Sequence, residues 1–120
     1  MSFVRRFLST FTPSPVIMEA AKQKAQSLID ENAVMLFSKS YCPYCRASKK
    51  TLESVGAKYQ VYELNEESDG ESIQDALEQI SGQRTVPNIY IGKQHIGGNS
   101  DLSALGSDKL KSKLKEANAL

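Results

Sequence analysis

Apolar positions recur along the chain in two rhythms. From Val16 to about Glu31, Ile17, Ala21, Ala25 and Leu28 fall at helical spacing among strong helix formers, which predicts a first helix. AVMLFSK, 33–39, is a short apolar run without polar alternation, the pattern of a central strand buried on both faces. CPYCRASKKTLESVG follows. Pro43 suits the first helical position, where its missing N–H costs nothing, and Gly56 reads as the C-terminal cap. YQVYEL, 59–64, predicts a second strand that includes Tyr59 and Tyr62. ESIQDALEQISG, 71–82, predicts an amphipathic helix with Ile73, Leu77 and Ile80 on its apolar face, ended by Gly82. NIYIGKQHIGG, 88–98, predicts a hairpin turning near Gly92 and Lys93. The remaining SDLSALGSDKLKSKLKEANAL predicts one or two short helices. The order αβαβαββα describes an α/β domain. Its strand–helix–strand unit makes a parallel pair by right-handed crossover, and the hairpin adds antiparallel strands.

Size and charge narrow the picture. At 120 residues the chain is one domain, long enough to bury a core without disulfide staples. Lys and Arg total 15 and Asp and Glu 14, so no global field points to nucleic acid or a membrane surface. No apolar run approaches the length of a spanning helix. The 2 cysteines do not form a secretory framework, and a reducing compartment is expected.

Residues 1–15, MSFVRRFLSTFTPSP, read differently from 16–120. They carry Arg5 and Arg6, no acid, several hydroxyl residues, and Phe3, Phe7 and Phe11 on one helical face. That fits a mitochondrial or plastid transit peptide better than a secretory signal. A disordered tail ended by Pro13 and Pro15 is the plainer alternative. Met18 offers an internal start for a shorter, cytoplasmic form.

KSYCPYC, 39–45, holds both cysteines, Cys42 and Cys45. A structural disulfide there closes a tiny loop and gains little. Two cysteines and one histidine, His95, fall short of the four ligands of a structural zinc site, so no metal is expected. A redox pair fits best. Cys42 falls between a buried strand and a helix, where free backbone N–H groups and the helix dipole favour a negative sulfur. Lys39 adds positive charge. Such surroundings lower a thiol pKa, and the thiolate is the attacking species. Cys45, one turn deeper, is expected to be less exposed and less acidic, and can resolve a mixed disulfide.

Two further segments carry candidate chemistry. In RTVPN, Val86 must be extended before Pro87. A cis Val86–Pro87 bond would let the Val86 backbone meet a ligand chain as a strand partner; an ordinary trans proline at a strand edge is the alternative, and the pairing with CPYC selects cis. In IGGNSDL, 96–102, Gly97 and Gly98 permit close backbone approach, and Asn99 or Ser100 can cap the next helix. Exposed amides there would take a carboxylate, and Asp101 an ammonium. Read alone, the segment is equally a Gly-rich turn with a cap.

CPYC, TVP and GGNSDL, in this order and spacing, resemble the dithiol glutaredoxins over roughly Val16 to the C-terminus. The resemblance implies a thioredoxin-like fold, with a four-stranded mixed sheet flanked by helices. It implies reduction of protein–glutathione mixed disulfides and protein disulfides, with glutathione as co-substrate and an NADPH-dependent glutathione reductase recycling its oxidised form. It assigns Cys42 as nucleophile and Cys45 as resolving thiol. Lys39 and Gln74 would hold the glycyl carboxylate of glutathione, with Tyr44 beside it. Thr85, Val86 and Pro87 would meet the cysteinyl portion, and Ser100 and Asp101 the γ-glutamyl head. Arg84 is a further carboxylate partner or a solvated charge, and His95 a hairpin residue. No tightly bound cofactor, nucleic acid or membrane partner is implied, and a monomer is expected. One rival is a pair of chains holding an iron–sulfur cluster through Cys42 and two glutathiones, which Pro43 opposes. Another is a thioredoxin-type reductant fed by a flavoprotein reductase, which Lys39 and GGNSDL oppose.

Overall fold

A computed structural model of the protein describes residues 14–120. The leader reading of 1–15 falls almost wholly outside the described residues. Helix α1, Pro15–Glu31, opens one residue before Val16. Ser14 accepts the Ile17 N–H on its hydroxyl at 3.2 Å, and Pro15 takes the first helical position. Pro15 is therefore a helix opener, not the end of a tail. Ala21, Ala25 and Ile29 form the buried stripe of α1. Ile17, expected on it, is 52% exposed, and it is the neighbouring Met18 that packs against the core from the first turn.

The sheet has four strands: β1 Val34–Ser38, β2 Gln60–Glu63, β3 Asn88–Ile91 and β4 Gln94–Gly97. They lie in the order β2-β1-β3-β4. β1 pairs parallel with β2 (Leu36 opposite Val61) and antiparallel with β3 (Leu36 opposite Ile89), and β4 returns antiparallel to β3. This mixed sheet flanked by helices is the thioredoxin-like fold expected from the motifs.

All of β1 is buried, as its unbroken apolar run requires. Strand alternation then feeds two cores. Met35 and Phe37 point with Leu64, Ile73, Leu77 and Tyr90 toward α1 and helix α3, Gly70–Ser81. Val34 and Leu36 point the other way, toward Leu52 of helix α2, Pro43–Ser54, and toward α4, Asn99–Ala104, and α5, Gly106–Glu116. Truncating Leu36 to alanine would remove packing worth about 2–5 kcal/mol.

Two strand bounds differ from expectation. Tyr59 lies just before β2, and Leu64 leaves it for a 3₁₀ turn, Leu64–Glu66. Leu64 turns inward and is 4% exposed. Gly70 then starts α3 directly against it: a Cβ there would sit 1.7 Å from the Leu64 carbonyl oxygen. The helix could not begin so close with any other residue. The C-terminal segment forms two helices.

Candidate active site

The chain leaves β1 at Ser38, turns through Lys39, Ser40 and Tyr41, and re-enters as α2. The Cys42 N–H donates to the Lys39 carbonyl at 3.0 Å, which closes the turn. Cys42 becomes the N-cap of α2, with Pro43 behind it at the first helical position. Its sulfur accepts the Cys45 N–H at 3.2 Å. The sulfur thus takes the place of a capping oxygen at the first turn of α2.

Both thiols are free, but their settings differ. Cys42 is 9% exposed and Cys45 fully buried. Burial, with a hydrogen bond from the Cys42 side adding to it, pushes the Cys45 thiol up to about 11. The Lys39 backbone and Ser38 hydroxyl oppose the shift without cancelling it. The reachable sulfur is therefore the one with a donor, and the inner one is held as a thiol.

Across from Cys42 lies the segment before β3. The Val86–Pro87 peptide is cis, as the motif combination predicts. The Val86 carbonyl oxygen lies 4.0 Å from Cys42 Sγ, although the residues are 44 apart in sequence. Beside it opens a cavity of about 300 Å³ lined by Tyr44, Thr85, Val86, Pro87, Gly98, Asn99 and Ser100. Five sequence-predicted site residues thus share one concavity.

Lys39 and Gln74 meet elsewhere, in a second cavity of about 270 Å³ with Leu64, Asn65, Gly70, Glu71 and Arg84. The Gln74 amide donates to the Arg84 carbonyl at 2.8 Å, so part of its donor capacity is already used. Arg84 is paired with Asp75, and with Glu78 at 3.8 Å. It is neither a plain solvated charge nor an open carboxylate receptor.

The GGNSDL segment departs from expectation at its cap. Gly98, not Asn99 or Ser100, is the N-cap of α4. Asp101 closes it by accepting the Gly98 N–H on Oδ2 at 2.9 Å. Asp101 lines neither cavity, and its first partner is backbone. Gly97 makes this possible: its φ is 119°, and a Cβ on it would sit 2.3 Å from Asp101 Oδ2. The Asn99 side chain faces inward, where it accepts the buried Ser48 hydroxyl at 2.8 Å and ties α4 to α2.

Sequence reasoning passed over Gln83 and Asn88 and treated His95 as a hairpin residue. The three form a hydrogen-bonded group next to Thr85 and Pro87. The adjacency of Gln83 to the TVP segment was the available signal.

The comparisons with known proteins agree with this geometry. A family model described as Glutaredoxin matches residues 34–96. A glutaredoxin of Ricinus communis is 52% identical over 101 residues, which are 83% of this chain and 99% of that protein. Glutaredoxin-C2 of Arabidopsis thaliana is 48% identical over 101 residues, covering 83% of this chain and 91% of its own. Among solved structures, a buckwheat glutaredoxin–glutathione complex superposes with a TM-score of 0.87 at 47% identity, over 90% of this chain and 99% of that one. The holo form of glutaredoxin C1 from Populus tremula x tremuloides gives 0.83 at 41% identity, over 87% and 95%. With a family model over more than half of the chain and relatives 52% and 48% identical over most of both chains, the chain belongs to the glutaredoxin family of glutathione-dependent disulfide oxidoreductases.

Proposed function

We propose that the protein reduces protein–glutathione mixed disulfides and protein disulfides through Cys42 and Cys45, with glutathione bound in the groove beside Cys42. One observation carries this reading: the sulfur that caps α2 lies 4.0 Å from the carbonyl of Val86, which lines a cavity walled by Tyr44, the Thr85–Pro87 segment and the Gly98–Ser100 start of α4. The buckwheat relative is described as a glutathione complex, which supports the same ligand here.

The Thr85–Val86–Pro87 backbone meets the cysteinyl portion of glutathione as a strand partner. Ser100 and the α4 N-terminus take the γ-glutamyl carboxylate, and Asp101 takes its ammonium on the oxygen not used by Gly98. Tyr44 flanks the ligand. Lys39 makes no ion pair among the described residues, so its ammonium is available to the glycyl carboxylate, with Gln74 in a lesser role.

The Cys42 thiolate attacks the glutathione sulfur of the mixed disulfide. A Cys42–glutathione bond forms, and the protein leaves as a thiolate that takes a proton. A second glutathione thiolate attacks that bond, which frees Cys42 and gives glutathione disulfide. An NADPH-dependent reductase recycles the disulfide. With a protein disulfide, the Cys42 thiolate bonds to one substrate sulfur as the S–S bond breaks, and the other sulfur leaves as a thiolate that takes a proton; the first is expelled in the same way in the next step. Cys45 loses its proton and attacks Cys42, leaving a Cys42–Cys45 bridge for two glutathiones to reduce.

A glutathione-dependent assay on a glutathionylated peptide tests this, with Cys42→Ser as control. Turnover lost only in that variant is expected. Activity with thioredoxin reductase and none with glutathione would overturn the proposal. We also propose that residues 1–15 direct the chain to a mitochondrion or plastid, and that it acts as a monomer. A reporter carrying those residues that stays in the cytoplasm removes the first, and a dimeric sedimentation mass removes the second.

A further inference from the structure

Three side chains that the reaction does not use meet between the Thr85–Pro87 segment and the hairpin. Gln83 Nε2 donates to the Thr85 carbonyl at 3.1 Å and to the Pro87 carbonyl at 3.0 Å. Gln83 Oε1 accepts from His95 Nε2 at 3.1 Å, and the same ring nitrogen lies 3.0 Å from Asn88 Oδ1. Asn88 Nδ2 donates to the Gln83 carbonyl at 3.3 Å. Asn88, at the start of β3, is only 1% exposed.

These contacts fix one another. The Gln83 nitrogen faces two carbonyls and can only be the donor end, which leaves Oε1 for the imidazole. The Asn88 amide is oriented the same way by the Gln83 carbonyl. One imidazole nitrogen facing two oxygens must carry a proton, so neutral His95 is the Nε2–H tautomer. Every contact then pairs a donor with an acceptor.

Placement gives the network its consequence. The pairing of β3 with β1 ends at Asn88, opposite Phe37. Thr85, Val86 and Pro87 lie beyond that pairing, without a strand partner to set their backbone. The two carbonyls held by Gln83 bracket Val86, whose own carbonyl faces Cys42 Sγ. One carboxamide thus pins both ends of the segment and leaves its middle residue turned toward the sulfur.

We propose that Gln83, braced by His95 and Asn88, is a positioning residue that sets the Thr85–Pro87 backbone for the glutathionyl part of the substrate. The inference rests on the reading that this segment binds glutathione. Gln83 touches no reacting atom; it acts through the backbone it holds. Its loss should weaken binding of the glutathionyl group and leave the bond exchange at Cys42 alone.

The test uses the full chain and a glutathionylated peptide. Gln83→Ala should raise KM about five- to tenfold, the scale of one or two hydrogen bonds, with kcat within about twofold. Gln83→Glu keeps the shape but turns an oxygen on two carbonyls, and should raise KM at least as much. His95→Ala should raise KM less, about two- to threefold. Added to Gln83→Ala it should change nothing further, because it acts through the same carboxamide. A lowered melting temperature with unchanged KM overturns the proposal, as do independent, multiplying effects of the two substitutions. Asp101→Ala is measured alongside. A raised KM there with none in Gln83→Ala sinks this inference and spares the glutathione groove. A wild-type chain that does not turn over the glutathionylated peptide sinks both.

Discussion

The two cavities near Cys42 are built on opposite plans. The one beside Val86 is walled by a cis-proline segment, Gly98, Asn99 and the polar end of α4. Apart from the Tyr44 ring its groups are backbone or short side chains, and the Thr85 and Pro87 carbonyls, the Gly98 N–H and the Asn99 carboxamide are each held by an internal hydrogen bond. The one beside Lys39 is walled by longer side chains reaching from a loop and from α3, and part of its charge is already neutralised in the Arg84 pairs with Asp75 and Glu78. A wall of fixed dipoles gives shape and register at little ordering cost, whereas a flexible ammonium gives attraction that salt screens. The difference teaches which wall should discriminate between ligands and which should merely attract them.

The largest expected effect concerns Cys45, the fully buried thiol behind both cavities' common neighbour Cys42. In Cys42→Ser, alkylation of Cys45 at pH 8 should be at least about tenfold slower than that of an unfolded thiol, because burial, the largest cause of its raised pKa, remains when the Cys42 sulfur is gone. The sign follows from burial. The folded chain favours the neutral thiol, so this contribution to stability is whole below pH 9.0 and is lost as pH climbs to about 11. An alkylation rate that levels off near pH 9.0 would show that Cys45 is not shielded.

Gly70→Ala comes next and strikes the second cavity through the fold. Its Cβ would lie 1.7 Å from the Leu64 carbonyl oxygen, a backbone atom that cannot step aside cheaply. A loss of about 3 kcal/mol or more in urea unfolding is expected, and a loss under about 1 kcal/mol would mean that α3 can start elsewhere. Asp101→Ala reaches the first cavity through Gly98, whose N–H the Asp101 carboxylate holds. It removes the α4 cap, worth about 1 kcal/mol, and the ammonium partner, so KM for glutathione should rise about fivefold with kcat nearly unchanged. Lys39→Ala should raise that KM only about two- to threefold, and the effect should fade at high salt. If Lys39→Ala instead outweighs Asp101→Ala, the ranking of the two walls is reversed.

Much of the fold was legible because burial writes itself as rhythm. The unbroken run of β1 and the stripe of α3 give strand and helix directly, and CPYC places Cys42 at a helix tip by local chemistry alone. Three things were not legible, each for a physical reason. Pro15 looked like punctuation because the prolines at 13 and 15 were read together, and Ser14 was not weighed as their cap. The capping role of Asp101 was hidden because its bond to Gly98 depends on the positive φ of Gly97, which the sequence permits but does not impose. Arg84 and the Gln83–Asn88–His95 group depend on α3 and the hairpin being brought together in space. Local rhythm cannot report which polar side chains meet across elements.

The atom that caps α2 is also the atom that reacts. Each time Cys42 enters a disulfide its sulfur becomes a poorer acceptor, and the Cys45 amide loses strength in its 3.2 Å hydrogen bond. The first turn of the helix should therefore be weaker in the oxidised chain, by at most the modest energy of an N-cap, about 0.5–2 kcal/mol. Deuterium uptake at that single amide becomes a built-in gauge of oxidation state, readable without touching either sulfur.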